Sequence, residues 1–173
     1  METHQVQWLA LRQLCQRLMM QEDMSEEDAL LCADNLVDAD LAGVESHGVS
    51  RMTNYMKRLR TRVAVQETAG GLYVDGKNAM GMVVGNYAMR RCIEKARTSG
   101  CCFAAAHHSN HFGMAAYYSI MAAQEGMIGF CPTNAPPNLA PWGSSKKYMG
   151  TNPFSISAPT RHDPITLDMA PSV

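Results

Sequence analysis

The chain has 173 residues, 46% of them hydrophobic, with 15 basic side chains against 16 acidic ones and a formal net charge of -1. That is enough apolar material for a buried core in one medium domain or a domain and a half. The charge balance excludes a bulk electrostatic pull toward nucleic acid or an anionic membrane, so any charged ligand must be held by local residues.

The opening "METHQVQWLALRQLCQRL" lacks the basic start, apolar core and small-residue cleavage site of a signal peptide, and no apolar run approaches membrane-spanning length. A cytosolic protein without membrane contact is expected. The six cysteines form no C-x-x-C pair and mostly lie in apolar contexts, which predicts reduced core residues.

In chain order, Val6, Leu9, Leu11, Leu14, Leu18 and Met19 recur at near-helical spacing, and "SEEDALLCADNLVDADLAG" opens with Ser25 as a good N-cap followed by three acids. Two amphipathic helices are predicted, the second ending near Gly43. "SHGVSRMTNYMKRL" predicts a third helix capped by Ser46. Gly70-Gly71 and Asp75-Gly76 are turn signals around short strands such as "LYV". Residues 82 to 98 predict a helix with Val84, Ala88, Cys92 and Ala96 on one line, stopped by Gly100. "CCFAAA" then predicts a buried strand, "GMAAYYSIMAAQ" a helix and "MIGFC" a second buried strand. That series implies a crossover and a parallel strand pair, with "HHSNHFG" at a strand end where ligands collect. "PTNAPPNLAPWG" is a proline-stiffened ordered loop. The expected division is a helical region over 1–65 and an α/β sheet region over 66–173.

Two constellations could carry chemistry. On a continuous helix His47, Arg51 and Tyr55 at i, i+4 and i+8 share one face, joined by Arg58, while Val49, Met52, Met56 and Leu59 take another. A guanidinium can grip a carboxylate through two parallel hydrogen bonds, and an imidazole can pass a proton near neutral pH. The alternative is a solvated helix face. In "HHSNHFG", His107 and His111, or His108 and His111, have metal-binding spacings, but the set lacks a natural third ligand, although Cys131 could approach; no metal is expected. The same histidines could satisfy loop carbonyls, or Asn110 and His111 could polarise a substrate oxygen, with Gly113 allowing close backbone approach. Neither the G-x-G-x-x-G nor the P-loop fingerprint is present.

Together, "DLAGVESHGVSRMTNY", "SNHFGMAAYY", "NLAPWG", "GTNPFSISAP" and "LDMAPSV" resemble the malate/L-lactate dehydrogenase family of the second type, which includes ureidoglycolate, sulfolactate and diketogulonate oxidoreductases. The motifs occur in the family's order over essentially the whole chain. The resemblance implies a mixed α/β fold distinct from Rossmann, and interconversion of a small 2-hydroxy acid and its 2-oxo acid with NAD or NADP in a homodimer. It implies His47 as proton donor and acceptor, with His111 as an acid/base or substrate-orienting group, and Arg51 and Tyr55 on the substrate, where the strand-end reading adds Asn110. It places Thr151, Asn152, Asp168, Met169, Ala170 and Ser172 along the cofactor. The family commonly has Thr where this chain has Pro171, which removes a hydroxyl and a backbone donor. Members run to about twice this length, so the chain is expected to be an N-terminal part of the enzyme. The rival expectations are a non-catalytic remnant and a small zinc-binding module built on His107, His108 and His111.

Overall fold

A computed structural model describes residues 5–22, 24–55 and 63–171. Met56, Arg58, Leu59 and Ser172, all singled out above, lie outside the described residues. The chain divides into two compact units, Met1–Met114 and Ala115–Val173.

The first unit opens with α1 (Trp8–Met20) and α2 (Glu26–Leu41). Ser25 caps α2 as expected, its hydroxyl accepting from the Asp28 amide at 3.2 Å. Gly43, at φ +75, lies just past the end of α2. Leu36, Cys32, Ala29 and Ala33 of α2 pack with Cys15 and Met19 of α1 in the first core cluster. Leu9, Leu14 and Leu18 of the predicted stripe stay exposed, so the buried seam of α1 is the narrower line through Cys15 and Met19.

The segment after α2 departs from the expected helix. Glu45–His47 and Val49–Arg51 are single 3-10 turns separated by Gly48 in extended conformation, and only Met52–Tyr55, α3, is α-helical among the described residues. At the break the segment is tied to α2. Asp40 Oδ2 accepts the Val49 amide at 3.0 Å, and a Cβ on Gly48 would fall onto the Asp40 carboxyl. The carboxylate thus packs against Gly48 where the two turns meet and leaves no room there for a side chain. Ser46 caps nothing; its hydroxyl instead meets His47 Nδ1 at 2.8 Å.

β1 (Ala64–Glu67) and β2 (Gly71–Asp75) form an antiparallel hairpin, and α4 (Gly81–Ser99) carries the chain to β3 (Phe103–His107), which pairs parallel with β2. Gly100 ends α4 in the left-handed conformation at φ +81. Val84 and Ala88 of α4, with Cys92 partly buried, pack over Leu72 and Val74 in a second cluster.

The predicted parallel pair between 101–106 and "MIGFC" does not form. The parallel pair lies one unit earlier, between β2 and β3, and β4 (Gly129–Pro132) joins a separate antiparallel sheet with β5 (Phe154–Ala158) and β6 (Ile165–Met169). As the edge of its sheet, β3 is exposed along Phe103–Ala106 rather than buried. Most of β4 is likewise uncovered, and Cys101 is exposed rather than in the core; all six cysteines are free thiols.

In the second unit α5 (Ala115–Gln124) packs on the β4–β5–β6 sheet. Ser119 of α5 meets Ser155 at 2.7 Å and Ser157 at 2.8 Å, all three fully buried, so the hydroxyls satisfy one another across the interface. The opposite sheet face presents Phe130, Ile156, Leu167 and Met169 and is exposed. Among the described residues no helix is long and apolar enough to cross a membrane.

Candidate active site

Although the predicted helix is broken, its residues converge with the histidine loop. The Tyr55 hydroxyl lies 2.5 Å from His111 Nδ1, the two rings are stacked with centroids 5.8 Å apart, and the His47 ring stands 5.1 Å from that of His111. Tyr55 is a core residue at 6% exposure, seated among Cys32, Leu36 and Met52, so its hydroxyl is held in place by packing.

The loop is fixed from three sides. Gly113, at φ +82, lies against the Asn35 amide oxygen with no room for a side chain. Gly81, the first residue of α4, has its Cα against the backbone of Asn110 and His111, where any Cβ would collide. Asn110 Nδ2 donates to the carbonyls of Asn78 at 2.9 Å and Ala79 at 3.0 Å, tying the loop to the turn after β2. That amide serves positioning in this geometry. Asp40, Asn35 and Gly81 escaped the sequence reading because each acts on a segment far away in the chain; the cramped glycines Gly48, Gly81 and Gly113 were the available signal.

Electrostatics follow from the packing. Burial pushes the Tyr55 phenol up to about 12, so it is a protonated donor at neutral pH. Burial first, then the neighbouring His47 and Arg51, push His111 down to about 4, which keeps its imidazole neutral. His111 keeps an exposed surface beside these neighbours. The Gly113 amide donates to His111 Nδ1 at 3.3 Å, which makes that nitrogen an acceptor and leaves the Tyr55 hydroxyl, 2.5 Å away, to donate to it as well. An Nδ1 that accepts two hydrogen bonds carries no proton, which assigns the His111 proton to Nε2.

Arg51 is exposed, and its Nε donates to the Ser46 carbonyl at 2.7 Å. His47 closes its 3-10 turn rather than opening the predicted helix. The three histidines of the rival zinc reading separate: His111 joins Tyr55 and His47, whereas His107 and His108 turn to Asp75.

In the second unit the expected cofactor segments meet at one end of a sheet. Phe154 pairs with Met169, which brings the residues before β5, Thr151 and Asn152, to the same sheet end as Met169 and Ala170. Asn152, at φ +45, uses its amide oxygen to accept the Ala135 amide at 3.0 Å. Asp168 Oδ2 accepts the Ala116 amide at 3.1 Å in the first turn of α5. The carboxylate and amide of this segment therefore hold the fold, while its outward side is the apolar face of Ile156, Leu167 and Met169.

This mixed α/β architecture with a histidine–tyrosine cluster and no glycine fingerprint defines a non-Rossmann class. The profile of the malate/L-lactate dehydrogenase family matches residues 6–173, and the chain belongs to that family. It is 46% identical over 156 residues to the malate dehydrogenase of Pyrococcus abyssi, covering 86% of this chain and 43% of that protein. To the L-sulfolactate dehydrogenase of Methanocaldococcus jannaschii it is 40% identical over 153 residues, 84% of this chain and 44% of that one. The solved structure of malate dehydrogenase from Pyrococcus horikoshii OT3 superposes with a TM-score of 0.92 at 40% identity, covering 96% of this chain and 50% of that one. The chain spans about half the length of the curated relatives it matches.

Proposed function

We propose that this chain supplies the substrate-handling residues of a nicotinamide-dependent dehydrogenase that interconverts a small 2-hydroxy acid, of the malate type, and its 2-oxo acid. The observation that carries the reading is the Tyr55–His111–His47 cluster, in which a neutral imidazole is held with Nε2–H as its donor.

A bound nicotinamide would accept the hydride from the substrate carbon in oxidation and return it in reduction. The chain's own residues manage the oxygen and its proton. His111 Nε2–H donates to the reacting oxygen and polarises the carbonyl, while Tyr55 acts as a positioning residue that locks the tautomer. His47 takes the hydroxyl proton in oxidation and gives it back in reduction. Arg51 grips the substrate carboxylate; its Nε bond to Ser46 fixes the plane of the guanidinium. Asn110 holds the loop rather than touching substrate.

For the cofactor, NAD or NADP, Thr151, Asn152, Met169 and Ala170 fit as an apolar platform with backbone groups at one sheet end. The Asn152 amide oxygen and the Asp168 carboxylate beside them are engaged within the fold, which suits contact with a ring more than with phosphate. Ser172 belongs to the same proposed segment. The working form is a cytosolic homodimer acting on small acids, with no nucleic-acid or membrane partner. The test is a screen of the complete enzyme with NADH and NADPH against pyruvate, oxaloacetate and other 2-oxo acids. Turnover with a small 2-oxo acid supports the reading; a screen silent for both cofactors and every acid sinks it.

A further inference from the structure

The four described non-glycine residues with left-handed backbone are Lys77 (φ 48), Asn78 (φ 63), His108 (φ 46) and Asn152, and three of them lie in the two turns that leave β2 and β3. These turns are laced together. Gly76 N–H donates to the His107 carbonyl at 2.8 Å and Asn78 N–H to the His108 carbonyl at 2.7 Å. Strain of this kind is kept only where surrounding structure enforces it, and it gathers at functional positions.

Its geometric effect is specific. Asp75 and His107 are paired residues in the parallel register, so their side chains leave the sheet on the same face. An extended His108 would point to the other face. Its left-handed backbone brings the ring back, 4.3 Å from that of His107 and with Nδ1 3.1 Å from Asp75 Oδ1. Tyr73 stacks on His107 at 4.5 Å and holds that ring's orientation. One carboxylate oxygen and two imidazole nitrogens, one ligand atom from each residue, lie within 4.8 Å of one another.

We propose that Asp75, His107 and His108 form a binding site for a divalent transition-metal ion of the zinc, nickel or copper class. Imidazole favours these ions over magnesium or calcium, and three protein ligands leave a fourth position for water. Metal–ligand bonds of about 2.0–2.2 Å need the ligand atoms to draw closer together. The exposed His108 can supply that movement by side-chain rotation. The Lys77 ammonium, 2.5 Å from Asp75 Oδ2, takes the other carboxylate oxygen and competes with the ion for the same charge. The site is independent of the dehydrogenase reading, because His111 Nδ1 is engaged with Tyr55.

The experiment is calorimetric titration of the full, chelator-stripped chain with Zn²⁺, Ni²⁺, Cu²⁺ and Mg²⁺, alongside thermal melts with and without Zn²⁺. One equivalent of Zn²⁺ is expected to bind and raise Tm, with Cu²⁺ tighter and Mg²⁺ showing no saturable binding. The deciding variant is His108→Asn, because asparagine tolerates the left-handed backbone and removes only the imidazole. It should melt like the wild type in metal-free buffer, lose the Zn²⁺-dependent rise, and bind Zn²⁺ at least about 10-fold more weakly, the lower end of what losing even an outer partner costs. His107→Ala should weaken binding as well, and Lys77→Ala should tighten it. The proposal is overturned if the wild type takes up no stoichiometric Zn²⁺, or if His108→Asn and His107→Ala bind it as the wild type does.

Discussion

Tyr55 and His111, 56 positions apart in the chain, meet through a 2.5 Å hydrogen bond between the phenol and Nδ1. With the Gly113 amide on the same atom, the outward nitrogen becomes the donor.

Removing that contact should therefore act on catalysis more than on substrate binding. In the complete enzyme Tyr55→Phe is expected to lower kcat by about 2- to 12-fold, corresponding to a net hydrogen bond of about 0.5–1.5 kcal/mol, with KM little changed. Steady-state kinetics check this, and a rise in KM at constant kcat would place the phenol on the substrate instead.

The depressed His111 gives stability a pH dependence of defined sign. Between about pH 6.5 and pH 4 the unfolded chain binds a proton at this position that the folded one refuses, so the contribution is fully present above the unfolded value and falls as pH drops through that window. Urea midpoints of wild type and His111→Asn across pH 4 to 7 measure it. The variant should lose part of the wild type's acid slope; identical slopes would show that His111 does not stay neutral.

The two histidines of the proposed site should also separate in the pH–rate profile. Burial holds His111 neutral, so the proposed proton carrier, His47, is expected to carry any neutral-range limb of kcat/KM. His47→Ala should abolish that limb and cost about 10²–10⁴ in kcat, the usual worth of general acid–base catalysis. His111→Ala should leave the limb in place while lowering kcat/KM. The opposite pattern exchanges their roles.

Arg51→Lys should raise KM about 10- to 150-fold, from the roughly 1.5–3 kcal/mol of a charge-assisted pair. Lysine supplies a charge but not the fork, nor the Nε bond that fixes its plane against Ser46. An unchanged KM would return Arg51 to the role of a solvated surface charge.

Gly81→Ala tests the support beneath the loop. Its new methyl would drive into the backbone of Asn110 and His111, which cannot yield as a flexible side chain could. A loss of about 1–3 kcal/mol in chemical denaturation is expected, with reduced activity at temperatures where the variant remains folded. A variant as stable as the wild type would mean that the loop can move away from α4.

The local elements were legible in the sequence because their causes are local. Ser25 caps α2 through an amide three residues on, and Gly100 ends α4 with its own backbone. The motifs that pointed to His47, Tyr55 and His111 were also readable, and the fold brings those three together. What the chain's order could not reveal were the effects of residues remote in sequence. The Asp40 carboxyl ties the segment at Gly48 and Val49 to α2, where the expected helix is interrupted, and strand pairing sets β3 beside β2 rather than β4. The same pairing carries Asp75 to His107 and supplies the third ligand that local spacing around the histidines lacked. Helix periodicity and capping are set within one or two turns of chain. Strand partners, the tautomer of His111 and its neutrality depend on which distant groups share its space, and only the tertiary structure decides that.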